Sequence, residues 1–181
     1  MGAWPPNCKL FVLYLAKDLL GKIIVHNTGS TILKGKIVET EAYLGVIDKA
    51  AHVYGGKKTK RVMPMYGMPG TAYVYLIYGM YYCFNIVAKE EGVPEAVLIR
   101  GIEPIESIDK MAINRFGKVY AELSNYQKKN LSNGPGKLCI ALNIDKSHNH
   151  EDLWGDRLYL ESGKDKDFDI VETTRIGIDS A

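Results

Sequence analysis

Residues 73–86 read Tyr-Val-Tyr-Leu-Ile-Tyr-Gly-Met-Tyr-Tyr-Cys-Phe-Asn-Ile, five tyrosines and one phenylalanine in fourteen positions around a single glycine. β-Branched and aromatic side chains fit a pleated, half-buried surface, so the run predicts two strands. Gly79 is the residue in it that enters positive φ cheaply, which places the reversal near Tyr78 and Gly79. A hairpin this rich in tyrosine needs either a core to bury its rings or a flat, π-faced ligand to cover them. Nucleobases are such ligands, each stacking on an aromatic side chain for about 1–3 kcal/mol. From the run alone both uses stand open.

The rest of the chain narrows the setting. Its 181 residues suit one domain with a sizeable core, or two small ones at most. A net charge of +2 supplies no global basic field, but Lys57, Lys58, Lys60 and Arg61 form a local basic run, and Lys128 with Lys129 a weaker one. Cys8, Cys83 and Cys139 are far apart and form no Cys-x-x-Cys pair, which points to a reduced compartment without zinc or a disulfide framework. The apolar stretch at 11–16 is short and runs straight into Lys17 and Asp18, a poor signal peptide. The run at 72–87 is too short for a membrane span and is interrupted by Gly79 and Asn85. A soluble intracellular protein is expected.

Residues 15–21 predict a helix ending at a glycine, followed by strands over 22–26 and 35–43 with a turn at Thr28-Gly29-Ser30. The stretch 45–70 carries Gly55, Gly56, Gly67, Gly70, Pro64, Pro69 and the basic run, and reads as a functional loop. Strand 96–100 follows the hairpin. Pro104 then opens a helix, with Ile105, Ile108, Met111 and Ala112 at helical spacing. Asn133-Gly134-Pro135-Gly136-Lys137 reads as a turn into a short helix at 138–142, and residues 154–178 alternate enough for two or three more strands. The sum is one α+β domain over residues 1–181.

Several side chains are candidates for chemistry. Glu39, Glu41 and Tyr43 share one face of a strand, with the two glutamate backbones about 6.6 Å apart. One carboxylate near a sugar can activate water, and two can act as acid and base; the plain reading is a charged edge strand. Arg100 ends an apolar strand and must find an anion or water, and a salt bridge would suffice. His52 lies in the loop, where a lone histidine is more often structural. His148 and His150 beside Glu151 and Asp152 have no defined metal spacing. Gly134-Pro-Gly-Lys137 lacks the remaining positions of a phosphate loop.

Taken in order, Val38-Glu-Thr-Glu-Ala-Tyr43, Ala-Ala-His52, Pro69-Gly-Thr-Ala-Tyr-Val-Tyr75, Ile-Tyr-Gly-Met80, Asn85-Ile, Leu-Ile-Arg100 and Gly-Pro-Gly-Lys-Leu-Cys139 closely resemble the alkyladenine (3-methyladenine) DNA glycosylase family, over nearly the whole chain. The resemblance implies a mostly antiparallel, curved sheet with surrounding helices and a protruding tyrosine-rich hairpin. It also implies a monofunctional enzyme that removes 3-methyladenine, 7-methylguanine, hypoxanthine or etheno-adenine from duplex DNA by base flipping.

By position, Glu41 matches the family's general base. Arg100 and the backbone carbonyl of Ile176 match the groups that hold its water. Tyr43, His52 and Tyr75 match the base-pocket walls, and Asn85 the side chain that crowds the amine of normal guanine. Tyr78 matches the wedge left where the nucleotide was, with Met80 beside it on DNA. Glu39 is left as a supporting residue. No metal or cofactor is called for, and the expected partner of this monomer is damaged duplex DNA in cytoplasm, nucleoid or nucleus. Family members generally continue past this end with a further strand-forming segment, and residues 1–12 match the family poorly. Competing classes are a non-catalytic damage binder, a glycosylase/lyase using a lysine amine, and a nucleoside hydrolase.

Overall fold

The computed structural model describes residues 11–163 and 168–175. Six antiparallel strands form a curled sheet in the order β3-β4-β5-β2-β1-β6. They are β1 (Ile23–Asn27), β2 (Ile32–Tyr43), β3 (Ala72–Ile77), β4 (Tyr81–Val87), β5 (Ala96–Glu106) and β6 (Leu158–Glu161). Among the described residues four helices accompany them: α1 (Phe11–Leu19), α2 (Ile108–Phe116), α3 (Asn125–Lys129) and α4 (Pro135–Ala141). Among the described residues no helix is long and apolar enough to cross a membrane.

The sheet is buried on both faces, and the two faces differ. One packs on α1, α2 and α4 through Val12, Leu19, Leu33, Ile37, Phe84, Ile99, Met111 and Leu138. The other lies under the loop of residues 45–70, where Val53, Val62, Met65 and Tyr66 meet Tyr73, Val87 and Ala96. That loop contains three 3-10 turns (Gly45–Ile47, Tyr54–Gly56, Met63–Tyr66), so it is a packed cover as well as a basic surface.

A pair of irregularities sets which side chains reach which face. Pairing steps from Ile37↔Ile102 to Glu39↔Gly101, leaving Val38 extra, and then to Thr40↔Ile99, leaving Arg100 extra. Each bulge shifts the alternation by one. Leu33 and Ile37 therefore share the helix-packed core with Ala42, as Val97 and Ile99 do with Ile102. Glu39, Glu41, Tyr43, Leu98 and Arg100 fall on the other face.

Three expectations are corrected. Pro104 and Ile105 belong to β5, and the helix begins at Ile108 after Ser107, whose φ is 58°. Proline has no N–H for a ladder, and Pro104 sits opposite Gly35 at a further register shift, where that missing donor is tolerated. Helix α4 starts at Pro135, which fills a first-turn position where no N–H is needed. Of the strands expected over 154–178, the described residues contain only β6.

The sheet's curl is fastened by two histidines. Residues 149–152 bond to β3, with Ala72 N–H donating to the Glu151 carbonyl and His150 N–H to the Ala72 carbonyl, each at 2.8 Å. His148 then reaches β1 near the opposite edge, its Nε2 lying 3.0 Å from His26 Nε2. His26 Nδ1 lies 2.7 Å from the Leu142 carbonyl and must donate to it. So His26 Nε2 accepts, His148 Nε2 donates, and His148 Nδ1 accepts from Asp145 N–H at 3.2 Å. Both rings are satisfied while neutral.

Burial is the main cause that lowers both pKa values, and the Arg157 cation adds to it, while Asp145 opposes. Arg157 is itself paired with Glu151. The unfolded chain therefore binds protons, as pH falls through the ordinary histidine range near 6.5, that the folded chain refuses. Stability from this pair is complete above that range and lost below it, by at most about 2.7 kcal/mol per pH unit for two protons. Urea midpoints at pH 7.5 and 5.5 are expected to differ more for wild type than for a His26→Gln/His148→Gln double variant. Equal pH dependence would remove the pair from the account.

Candidate active site

The face turned away from the helices holds the carboxylates. Glu41 is 6% exposed, and its two oxygens are held separately. Arg100 Nη1 lies 3.1 Å from Oε1, and the Tyr43 hydroxyl donates to Oε2 at 3.0 Å. Arg100 Nε donates to Glu39 Oε1 at 3.0 Å. One guanidinium thus grips both glutamates because its bulge aims it at them. Glu39 is nearly half exposed and Glu41 is not, which separates the two by burial. Burial first, then the Glu41 charge, push the Tyr43 phenol well above its ordinary value, so it remains a donor.

Beside Glu41 and Tyr43 stand the aromatic residues of the hairpin and loop. His52 meets the Tyr75 ring edge-on at 4.7 Å between centres, and Tyr73 lies tilted against Tyr75 at 5.1 Å. Burial and the Arg61 cation lower His52, which stays neutral at neutral pH. Arg61 stands 5.2 Å over the Tyr75 ring and donates to the Leu76 carbonyl at 2.9 Å. It therefore ties the loop to β3, a role that its place in a basic run concealed. Buried Asn85 donates from Nδ2 to the Tyr73 carbonyl at 3.1 Å.

At the tip, Met80 N–H closes onto the Ile77 carbonyl, with Tyr78 at φ 54° and Gly79 at φ 70°. Both central residues are left-handed, the turn that matches strand twist. Glycine enters it freely, whereas Tyr78 incurs about 1–2 kcal/mol. Tyr78 nevertheless stands 82% exposed, next to Met80 at 65%. At the base of the hairpin, Tyr81 packs so closely on α4 that a Cβ at Gly136 would meet the Tyr81 Cβ at 2.9 Å and its ring at 3.0 Å. Lys137, from the glycine-rich turn, is held by Asn130 and Asn133.

A cleft of about 630 Å³ reaches the glutamates between α1, β2 and residues 170–175, lined by Lys17, Val38, Glu39, Glu41 and Arg175 among others. Tyr43, His52 and Tyr75 do not line it. Ile176, expected to hold water, lies outside the described residues. The histidine cluster at 148–150 does not converge on a metal: His148 turns inward to His26, and among the described residues no three histidine, cysteine or acidic side chains are grouped to hold one. Asp48 and Arg175 also stand at the site, though nothing in their local sequence singles them out.

A buried carboxylate gripped by an arginine thus stands beside aromatic side chains, with an exposed aromatic residue at the hairpin tip. The model of the family described as methylpurine-DNA glycosylase (MPG) matches residues 9–181, and the chain belongs to that family. It is thus a DNA glycosylase of the class that acts on alkylated bases. A protein of Clostridium tetani (strain Massachusetts / E88), provisionally named a 3-methyladenine DNA glycosylase, is 63% identical over 170 residues, covering 93% of this chain and 84% of the relative. A Clostridium botulinum protein (strain Loch Maree / Type A3) with the same provisional name is 56% identical over 168 residues, covering 92% and 83%.

Proposed function

We propose that the chain excises alkylated and deaminated purines, the 3-methyladenine, 7-methylguanine, hypoxanthine and etheno-adenine class, from duplex DNA with Glu41 as general base. The observation that carries this is the Glu41 carboxylate, buried yet held at both oxygens beside an aromatic wall. The target bond is hidden in a stacked duplex, so the nucleotide must be extruded at a few kcal/mol, and Tyr78 with Met80 fills the gap. The lesion then lies against Tyr43, His52 and Tyr75, whose ring faces favour the positive charge of an N-alkylated purine. Asn85 crowds the exocyclic amine of normal guanine.

Glu41 takes a proton from water as the water oxygen bonds to C1′. The glycosidic bond breaks and its electron pair leaves with the purine, giving free base and an abasic sugar. A cationic lesion departs as a neutral base, whereas hypoxanthine also needs a proton. The transition state has oxocarbenium character, which the carboxylate stabilises. Arg100 holds the water.

Single-turnover release of base from duplexes carrying hypoxanthine or a methylated purine tests the reading. Release is expected with duplex DNA, without a borohydride-trapped adduct and without cleavage of free nucleosides. Tight lesion binding with no release would instead identify a damage binder. Tyr78→Gly, which removes both the ring and the left-handed strain, is expected to weaken base flipping, read by fluorescence of etheno-adenine duplex, without lowering the thermal midpoint. An unchanged flipping equilibrium would remove the wedge role.

A further inference from the structure

Two charged residues that have no part in the reaction as described are built against it. Arg175 Nη1 lies 2.5 Å from Asp48 Oδ2, and Nη2 lies 2.8 Å from Oδ1. Nη1 also donates to the Ala42 carbonyl at 3.2 Å. The Asp48 carboxylate, 4% exposed, accepts the backbone N–H groups of Leu44 and Ala50, each at 3.0 Å. The guanidinium carbon of Arg175 stands 4.9 Å from the centre of the Tyr43 ring. Since the Tyr43 hydroxyl holds Glu41 Oε2, a continuous line of contacts runs from the loop after β2 through Asp48, Arg175 and Tyr43 to the general base.

The line is rigid at each link. Two parallel N–H···O bonds fix the plane of the guanidinium as well as its position. Burial alone would raise the Asp48 carboxyl, but Arg175 and the two backbone N–H groups outweigh it and hold it below the usual range. The pair therefore stays charged at neutral pH. Its opposite charges are in contact, so their combined field at the sugar is small and what they deliver is geometry. A lysine at 175 would keep the charge but lose the fork and the planar contact with the ring.

We infer that Asp48 and Arg175 form a positioning clamp that fixes the Tyr43 ring and, through its hydroxyl, the angle of the Glu41 carboxylate, while anchoring the chain directly before Ile176. The inference rests on the glycosylase reading above. A carboxylate turned or displaced by about 1 Å loses about 10²-fold in rate.

Asp48→Asn, Arg175→Lys and Arg175→Gln are expected to slow single-turnover excision at saturating enzyme by about 10–100-fold. Lesion-duplex affinity should change by less than about threefold, since neither residue is assigned a DNA contact. Because the clamp acts through Tyr43, Arg175→Gln should add less than about threefold in a Tyr43→Phe background. A role in folding alone would lower the thermal midpoint, leave the rate of the folded fraction unchanged and combine additively with Tyr43→Phe. Additive losses, or near-normal excision by folded Asp48→Asn, would overturn the clamp. Should Arg175→Gln not fold, the near-isosteric Asp48→Asn and the charge-conserving Arg175→Lys carry the test. Failure of wild type to release base at all would sink the glycosylase reading itself.

Discussion

Glu41→Gln is expected to bind lesion duplex as wild type does and to release base about 10²–10⁴-fold more slowly, the share that a positioned general base supplies. Glutamine keeps the shape of the side chain but cannot take the proton that water must lose. It also has one oxygen where the carboxylate has two, and both are engaged, by Arg100 on one side and the Tyr43 hydroxyl on the other. Some local readjustment therefore accompanies the loss of basicity. Lesion-duplex affinity by titration distinguishes the two effects, because readjustment alone disturbs the pocket and weakens binding. Near-normal excision would exclude Glu41 as the base, and Glu39→Gln would then be the variant to examine.

Replacing Arg100 is expected to have the largest effect on stability. Its side chain is only 15% exposed and sits between two carboxylates, one of them almost fully buried. Removing one partner of a buried pair typically costs about 3–5 kcal/mol, because the remaining charge is left without compensation. Arg100→Ala should lose about that much in urea unfolding and excise slowly even where it remains folded. Arg100→Lys should recover only part of either, since Nε serves Glu39 while Nη1 serves Glu41, and one ammonium cannot take both positions. The Glu39 contact is half exposed and screened, so Glu39→Gln alone should be mild. Full rescue by lysine would show that charge rather than the fork matters.

What could be read in advance follows the range of the forces involved. The hairpin was legible because aromatic strand preference and a central glycine are local signals, and β3 and β4 lie where they point. Period-two alternation correctly put Glu39, Glu41 and Tyr43 on one face, since the irregularity between Glu39 and Thr40 places its extra residue, Arg100, on β5 and leaves β2 in step. The same alternation gives no hint of Val38 or Arg100 as extra residues, because a bulge exists only relative to a partner strand. Pro104 has the local signature of a helix start, yet pairing with Gly35 holds it in β5. The Asp48–Arg175 clamp joins residues 127 positions apart, and the histidine pair joins residues 122 apart. Neither separation leaves a trace in the neighbouring sequence.

The two compensating bulges also govern which changes of length this chain can accept. An extra residue in β2 is cancelled by one in β5, so pairing on either side keeps the same register. Losing one residue between Ile37 and Glu39 would reverse the inward and outward sides of one segment relative to the other. Either Glu39 and Glu41 would turn toward the apolar helix-packed layer, or Leu33 and Ile37 would turn out of it. In this stretch the count of residues is therefore under as strong a constraint as their identities. Substitution at exposed Val38 is tolerable where its deletion is not.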